Sequence, residues 1–82
     1  MKSKRKRYLL TAVFWKERKK VVGKCPELGV SSFGIDIEEA RGRLSEAVDL
    51  FIENARALGM LGDLEETLAS TERFATIIEI PA

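Results

Sequence analysis

The side chains able to do chemistry in this 82-residue chain are carboxylates, hydroxyls and one thiol. The chain has 13 Asp and Glu residues, no histidine, and one cysteine, Cys25. Without histidine, the usual near-neutral general base and the Ser-His-Asp or Cys-His arrangements cannot be built. A single cysteine also excludes an intramolecular disulfide and a Cys/His zinc site. Nucleophilic catalysis by Cys25, Ser31 or Ser32 is therefore not expected.

The carboxylates do not form a pattern typical of a metal centre. Five of them recur at helical spacing, where such groups usually form a solvated face: Glu38, Glu39, Glu46, Asp49 and Glu53. Two-metal nuclease chemistry needs carboxylates that converge from strands and helices, whereas the predicted strands hold only Glu79. Gly29 and Gly34 lack the spacing of a phosphate-binding loop. The sequence therefore predicts no enzyme, no metal site and no cofactor.

Charge is divided unevenly along the chain, although the formal net charge is only +1. Residues 1–24 hold ten Lys and Arg against one acid (+9), and residues 25–82 hold four Arg against twelve acids (−8). Such asymmetry is typical of contact with nucleic acid or with charged proteins. One interpretation makes residues 1–7 a solvated basic tail. The other is a nucleic-acid-binding module whose phosphate contacts are Lys2, Lys4, Arg5, Lys6 and Arg7.

Stretches of β-branched and aromatic residues predict four strands. The first, residues 8–15, is apolar on both faces and is expected in the centre of the sheet. Its aromatic side chains are interpreted as core rather than as a base-stacking surface, because Trp15 lies on the face opposite to Tyr8 and Phe14. A charged hairpin turn at residues 16–19 leads to the second strand, residues 20–25. A turn at residues 26–29 leads to the third strand, residues 30–33, which Gly34 ends. The fourth strand is residues 74–80.

One long amphipathic helix is predicted after the third strand. Asp36 is a suitable N-cap, Glu39 completes a capping box, and Gly59 is a natural stop. The apolar stripe between them has spacings of three and four and comprises Ile37, Ala40, Leu44, Ala47, Val48, Phe51, Ala55 and Leu58. Asp63 and Glu66 predict a second, short helix over residues 64–69. The expected fold is α+β, in the order β-β-β-α-(α)-β, with an antiparallel sheet packed on the long helix.

The chain is long enough for one small domain, which we assign to residues 8–82 after the tail of residues 1–7. Such a short chain buries little surface, so a homo-oligomer, with a dimer as the simplest form, is expected to stabilise it. No signal peptide or membrane-spanning segment is expected. A single thiol suits a reducing compartment, and we expect the protein in the cytoplasm.

Three stretches of the sequence resemble the HicB-type antitoxin domain. They are Tyr8-Leu-Leu-Thr-Ala-Val-Phe-Trp-Lys-Glu, then Val21-Val-Gly-Lys-Cys25-Pro26-Glu27-Leu28-Gly29-Val30, then Ser32-Phe-Gly34-Ile-Asp-Ile-Glu38-Glu39-Ala40. Leu58-Gly59-Met60-Leu61 and Ile78-Glu79-Ile80-Pro81 are similar to the turn after the helix and the last strand of that family. The resemblance extends over residues 8–81.

This resemblance implies a partial RNase H-like fold that lacks the nuclease carboxylates. It also implies a non-catalytic, protein-binding role in a toxin–antitoxin system, in which the domain covers a HicA-like toxin that is small, basic and RNA-cleaving. The acidic balance of residues 25–82 suits a cationic partner. No motif assigns the toxin-binding residues.

Overall fold

Three antiparallel strands form the sheet in the computed structural model, which describes residues 8–70 and 72–81. β1 spans Val13–Glu17, β2 spans Lys20–Cys25, and β3 spans Val30–Gly34. The strand order is β1-β2-β3, so β2 is central and both connections are hairpins. The predicted second strand, residues 20–25, and the turn at residues 26–29 are confirmed. The hairpin turn predicted at residues 16–19 comprises only Arg18 and Lys19, because β1 continues through Lys16 and Glu17.

A long helix, α1, follows β3 and spans Ile37–Ala57. Asp36 caps it as predicted, since its Oδ1 accepts a hydrogen bond from the Glu39 N–H at 2.8 Å. Glu39 reaches back across the cap, and its Oε1 accepts from the Ile35 N–H at 2.7 Å. The helix has Leu58 as its C-cap, and Gly59 follows in the left-handed region at φ +73°.

A short helical segment follows α1. A 3₁₀ turn at Leu61–Leu64 leads into α2, Glu65–Ala69. The predicted capping role of Asp63 is wrong, because Leu64 occupies the N-cap of α2 and makes no side-chain cap hydrogen bond. The 3₁₀ turn places Asp63 inside the helical segment rather than before it.

The core lies between α1 and one face of the sheet. Val21 and Cys25 of β2 are buried on this face. From the helices come the buried side chains Ala40, Leu44, Ile52, Ala55 and Leu68. Within the predicted apolar stripe, Ile37, Phe51 and Leu58 are exposed. Ile37 and Leu58 lie at the ends of α1, so the stripe extends there beyond the surface that it packs on.

Gly34 at the end of β3 permits α1 to approach the sheet. A Cβ at this position would lie 2.6 Å from the backbone nitrogen of Ala40 and 2.8 Å from the Cβ of Glu39. Because these are backbone or short side-chain atoms, they cannot rotate away. Glycine is required here by the closeness of the helix rather than by its φ angle.

Two predictions about the strands are wrong. β1 begins at Val13 rather than at residue 8, and it lies at an edge of the sheet rather than in its centre. Tyr8, Leu10 and Ala12, which precede β1, line a groove beside α1. This position accounts for their apolar character without a place in the centre of the sheet. The predicted last strand, residues 74–80, is not a strand: residues 72–81 hold no helix or strand, and Phe74 and Ile77 are 93% and 94% exposed.

Candidate functional site

The face of the sheet turned away from α1 carries two exposed aromatic side chains. Trp15 of β1 and Phe33 of β3 are both paired with Val22 of β2, so the three residues form one row across the strands. Trp15 is 40% exposed and Phe33 is 51% exposed. Neighbouring residues of β2 alternate between faces, which puts Lys20 and Lys24 on the same side as Val22. We call these five residues the open face.

Two polar contacts order the aromatic side chains of the open face. The Nε1–H of Trp15 donates to Oε2 of Glu17 at 3.1 Å. The Nζ of Lys20 lies 4.5 Å from the centre of the Phe33 ring, within the range of a cation–π contact. Because Lys20 is exposed, its ammonium is also free to meet an anion beside that ring.

The hairpin that forms half of the open face is basic. Residues 13–25 hold one acid, Glu17, and five cations, all of them exposed: Lys16, Arg18, Lys19, Lys20 and Lys24. Arg18 adopts the left-handed region at φ 57° in the two-residue turn. The net charge of +4 is therefore concentrated in the β1–β2 hairpin and its turn.

A half-buried cluster around Glu27 lies at the opposite end of β2. Oε2 of Glu27 accepts from the Thr11 hydroxyl at 2.6 Å, and both carboxylate oxygens accept from the Thr11 N–H. Nη1 of Arg73 donates to the same Oε2 at 3.0 Å. Arg73 also donates to the carbonyl oxygens of Leu9, Thr67 and Ser70. This Glu27 cluster connects the segment before β1, the β2–β3 turn and the segment after α2.

Hydrogen bonding controls the charge state of Glu27. Burial acts to raise its pKa, but the hydrogen bonds from the Thr11 hydroxyl and from the backbone outweigh burial and lower the pKa from 4.5 to about 2. The carboxylate is therefore charged throughout the neutral range. Burial raises the pKa of the neighbouring Cys25 thiol, whose Sγ lies 3.4 Å from Oε1 of Glu27. Cys25 is 1% exposed, so it has the environment of a structural thiol rather than of a nucleophile.

The outer face of α1 is acidic. Glu46, Asp49 and Glu53 recur at helical spacing on the side opposite to the buried Leu44 and Ala55, and all three are exposed, as predicted. Glu53 forms an ion pair with Arg56 at 3.1 Å. The molecule thus places negative charge on the outer side of the helix and positive charge on the hairpin.

A groove separates α1 from the segment that leads into β1. Its volume is about 560 Å³, and Leu10, Phe14, Val48 and Ile52 contribute apolar side chains to its lining. Arg41, Ser45 and Asp49 supply polar groups from α1. In the part of the chain that the structure describes, no three His, Cys, Asp or Glu residues are grouped as metal ligands would be.

The candidate nucleic-acid contacts Lys2, Lys4, Arg5, Lys6 and Arg7 lie outside the described residues. The interpretation of the first strand's aromatic residues as core is wrong for Trp15, which is 40% exposed on the open face, whereas Tyr8 and Phe14 line the groove beside α1. Sequence reasoning missed the Glu27 cluster, because its members are 16 and 46 residues apart and no local spacing connects them.

Comparisons with protein-family models, curated proteins and solved structures found no match to this chain. Across residues 8–70 and 72–81, no helix combines the length and the apolar character needed to cross a membrane.

Proposed function

We propose that this chain is a non-catalytic, protein-binding domain of the HicB antitoxin type, which sequesters a small, basic, RNA-cleaving toxin resembling HicA in the cytoplasm. The proposal includes a partial RNase H-like relationship for the β-β-β-α core. Its sequence support comes from the three motif stretches, which coincide with the strands, the β2–β3 turn and the start of α1.

The acidic outer face of α1 is the observation that carries this proposal. Its carboxylates are exposed and project away from the core, so a partner reaches them without any rearrangement of the fold. Opposite charge on a partner steers encounter and raises the association rate more than it raises affinity. A small basic protein fits this surface better than an acidic one, and we assign the toxin contact to Glu46, Asp49 and Glu53.

The test measures RNA cleavage by a small, basic HicA-like toxin, with increasing amounts of the chain added. We expect cleavage to stop near a 1:1 ratio and the chain alone to leave RNA intact. A triple variant, Glu46→Lys, Asp49→Lys and Glu53→Lys, should associate with the toxin more slowly at low salt, and the difference should shrink at high salt.

A matched control makes the same change of charge elsewhere. Asp63, Glu65 and Glu66 are exposed on the helical segment after α1, and their replacement by lysine should leave inhibition close to that of the unaltered chain. Cleavage that continues at an excess of the chain would contradict the antitoxin role. Equal loss of inhibition in both triple variants would contradict the assignment to α1.

We also propose that the chain forms a homodimer through residues 74–80. Four large apolar side chains of this segment are at least 70% exposed: Phe74, Ile77, Ile78 and Ile80. A strand-forming segment without a partner is available to pair with the sheet edge of another chain.

A further inference from the structure

We propose that the open face of the sheet binds single-stranded nucleic acid, with bases stacked on Trp15 and Phe33 and phosphates held by the lysines beside them. This inference is independent of the antitoxin role, because it requires no toxin and uses the side of the molecule opposite to α1.

The arrangement of the two aromatic rings is the first support. Trp15 and Phe33 lie in one row on either side of Val22. At a strand spacing of about 4.8 Å, their Cα atoms are roughly 10 Å apart. Exposed aromatic side chains on one face of a sheet are the platform on which such domains stack two or three unpaired bases. Val22 lies between the two rings and adds apolar surface.

The position of the positive charge is the second support. Lys20 and Lys24 share the open face with the rings, and Arg18 and Lys19 lie at the hairpin turn beside it. The phosphates of nucleotides whose bases stack on Trp15 and Phe33 would lie close to these cations.

The same observations argue against other occupants. A second copy packed on this face would have to cover the ammonium groups of Lys20 and Lys24, and the three strands offer only one carboxylate on this face, Glu17, to match them. A duplex hides the faces of its bases, so it cannot use the rings of Trp15 and Phe33. Single-stranded RNA or DNA satisfies both the apolar row and the cations.

The experiment titrates the full chain with fluorescein-labelled, single-stranded 12-nucleotide RNA, with DNA of the same sequence, and with the corresponding duplex. Trp15 is the only tryptophan of the chain, so its emission reports directly on stacking. We expect anisotropy to rise, tryptophan emission to be quenched at saturation, and the duplex to bind more weakly. The RNA and DNA arms show which sugar the face prefers.

Variants separate stacking from charge. Trp15→Ala and Phe33→Ala should each weaken binding about 5- to 100-fold, whereas Trp15→Phe should retain most of the affinity. Phe51→Ala is the matched control, since Phe51 is a similarly exposed aromatic residue on α1. Lys20→Ala with Lys24→Ala should make the slope of log K against log salt less negative by about 1.4. The control variant, Arg43→Ala with Arg56→Ala, removes two cations from α1 and should leave this salt dependence unchanged.

Three results would overturn the inference. The first is tryptophan emission that does not change at saturating RNA. The second is that Trp15→Ala and Phe33→Ala bind RNA as the unaltered chain does, whereas replacing the cations of the tail removes RNA binding. That result assigns binding to the tail residues Lys2, Lys4, Arg5, Lys6 and Arg7. The third is a dimer that dissociates in Phe33→Ala without loss of RNA binding, which assigns the face to a second copy. Circular dichroism checks that each variant is folded. If Trp15→Ala does not fold, Phe33→Ala and the double variant Lys20→Ala with Lys24→Ala test the inference without it.

Discussion

Arg73 lies 3.0 Å from Glu27, a residue 46 positions earlier in the chain, and the two side chains are only 17% and 13% exposed. The contact holds the segment after α2 against the turn between β2 and β3. Through Thr11, Glu27 also holds the segment that precedes β1. The two ends of the described chain are therefore attached to the same carboxylate.

Removing this carboxylate should destabilise the fold. Glu27→Ala leaves the Thr11 N–H and the Arg73 guanidinium without their acceptor in a largely buried place, and we expect the free energy of unfolding to fall by about 2–4 kcal/mol. Urea denaturation followed by circular dichroism measures the change. Glu53→Ala is the control, because it removes the exposed partner of Arg56 and should cost less than about 1 kcal/mol. Equal effects of the two substitutions would mean that the Glu27 cluster has no special role in stability.

The same carboxylate should make stability depend on acidity. Its pKa is about 2 in the folded chain and 4.5 when it is unperturbed, so the folded state favours the charged form. This stabilisation is fully present above pH 4.5 and is lost as the pH falls from 4.5 toward 2. We expect the stability difference between the unaltered chain and Glu27→Gln to shrink by about 1–3 kcal/mol between pH 6 and pH 2. Urea denaturation at both pH values measures it, and a constant difference would contradict the assignment.

Replacing Gly34 or Gly42 by alanine should change the stability of the fold in opposite directions. Gly34→Ala places a Cβ against the backbone of α1, and we expect a loss of at least about 2 kcal/mol of stability. Gly42 lies within α1, where an added Cβ would meet no neighbouring atom within 4 Å, so Gly42→Ala should stabilise the chain by about 0.5–1 kcal/mol. Thermal unfolding of both variants is the measurement. A neutral Gly34→Ala would mean that α1 is not held close to β3.

Self-association should depend on the apolar segment after Arg73. Ile77→Asp with Ile78→Asp introduces charge where the two most exposed isoleucines of this segment would enter an interface, and we expect a monomer by light scattering. Leu9→Asp with Leu50→Asp changes two comparably exposed residues elsewhere and should leave the dimer intact. A dimer that survives the first double substitution would exclude residues 74–80 as the contact.

Local signals in the sequence predicted much of the fold. The bounds of β2 and the start and end of α1 were predicted correctly, because the turn residues on either side of β2, the Asp36 cap and Gly59 act over a few residues. The extent of β1 was not, since Tyr8, Leu10 and Ala12 line the groove beside α1 rather than pairing in the sheet. Residues 74–80 have strand composition, but composition does not supply a pairing partner, and none is present among the described residues.

Less of the candidate sites was predictable. The carboxylates of α1 were expected on water, because helical spacing alone places them there. The row from Trp15 to Phe33 depends on strand register, which the hairpin turns set, and the first turn was predicted at residues 16–19 rather than at Arg18 and Lys19. The partnership of Glu27 and Arg73 depends on the path of the chain after α2, which has no local signature.

The order of the strands also has a consequence for how quickly the chain folds. Each strand pairs with the one before it, and α1 packs on the strand that it follows, so most contacts close short loops. The Arg73–Glu27 pair closes a much longer loop and should form after the rate-limiting step. We expect Arg73→Ala to accelerate unfolding in stopped-flow measurements while the refolding rate changes little, so that this pair governs the lifetime of the native state rather than the speed of reaching it.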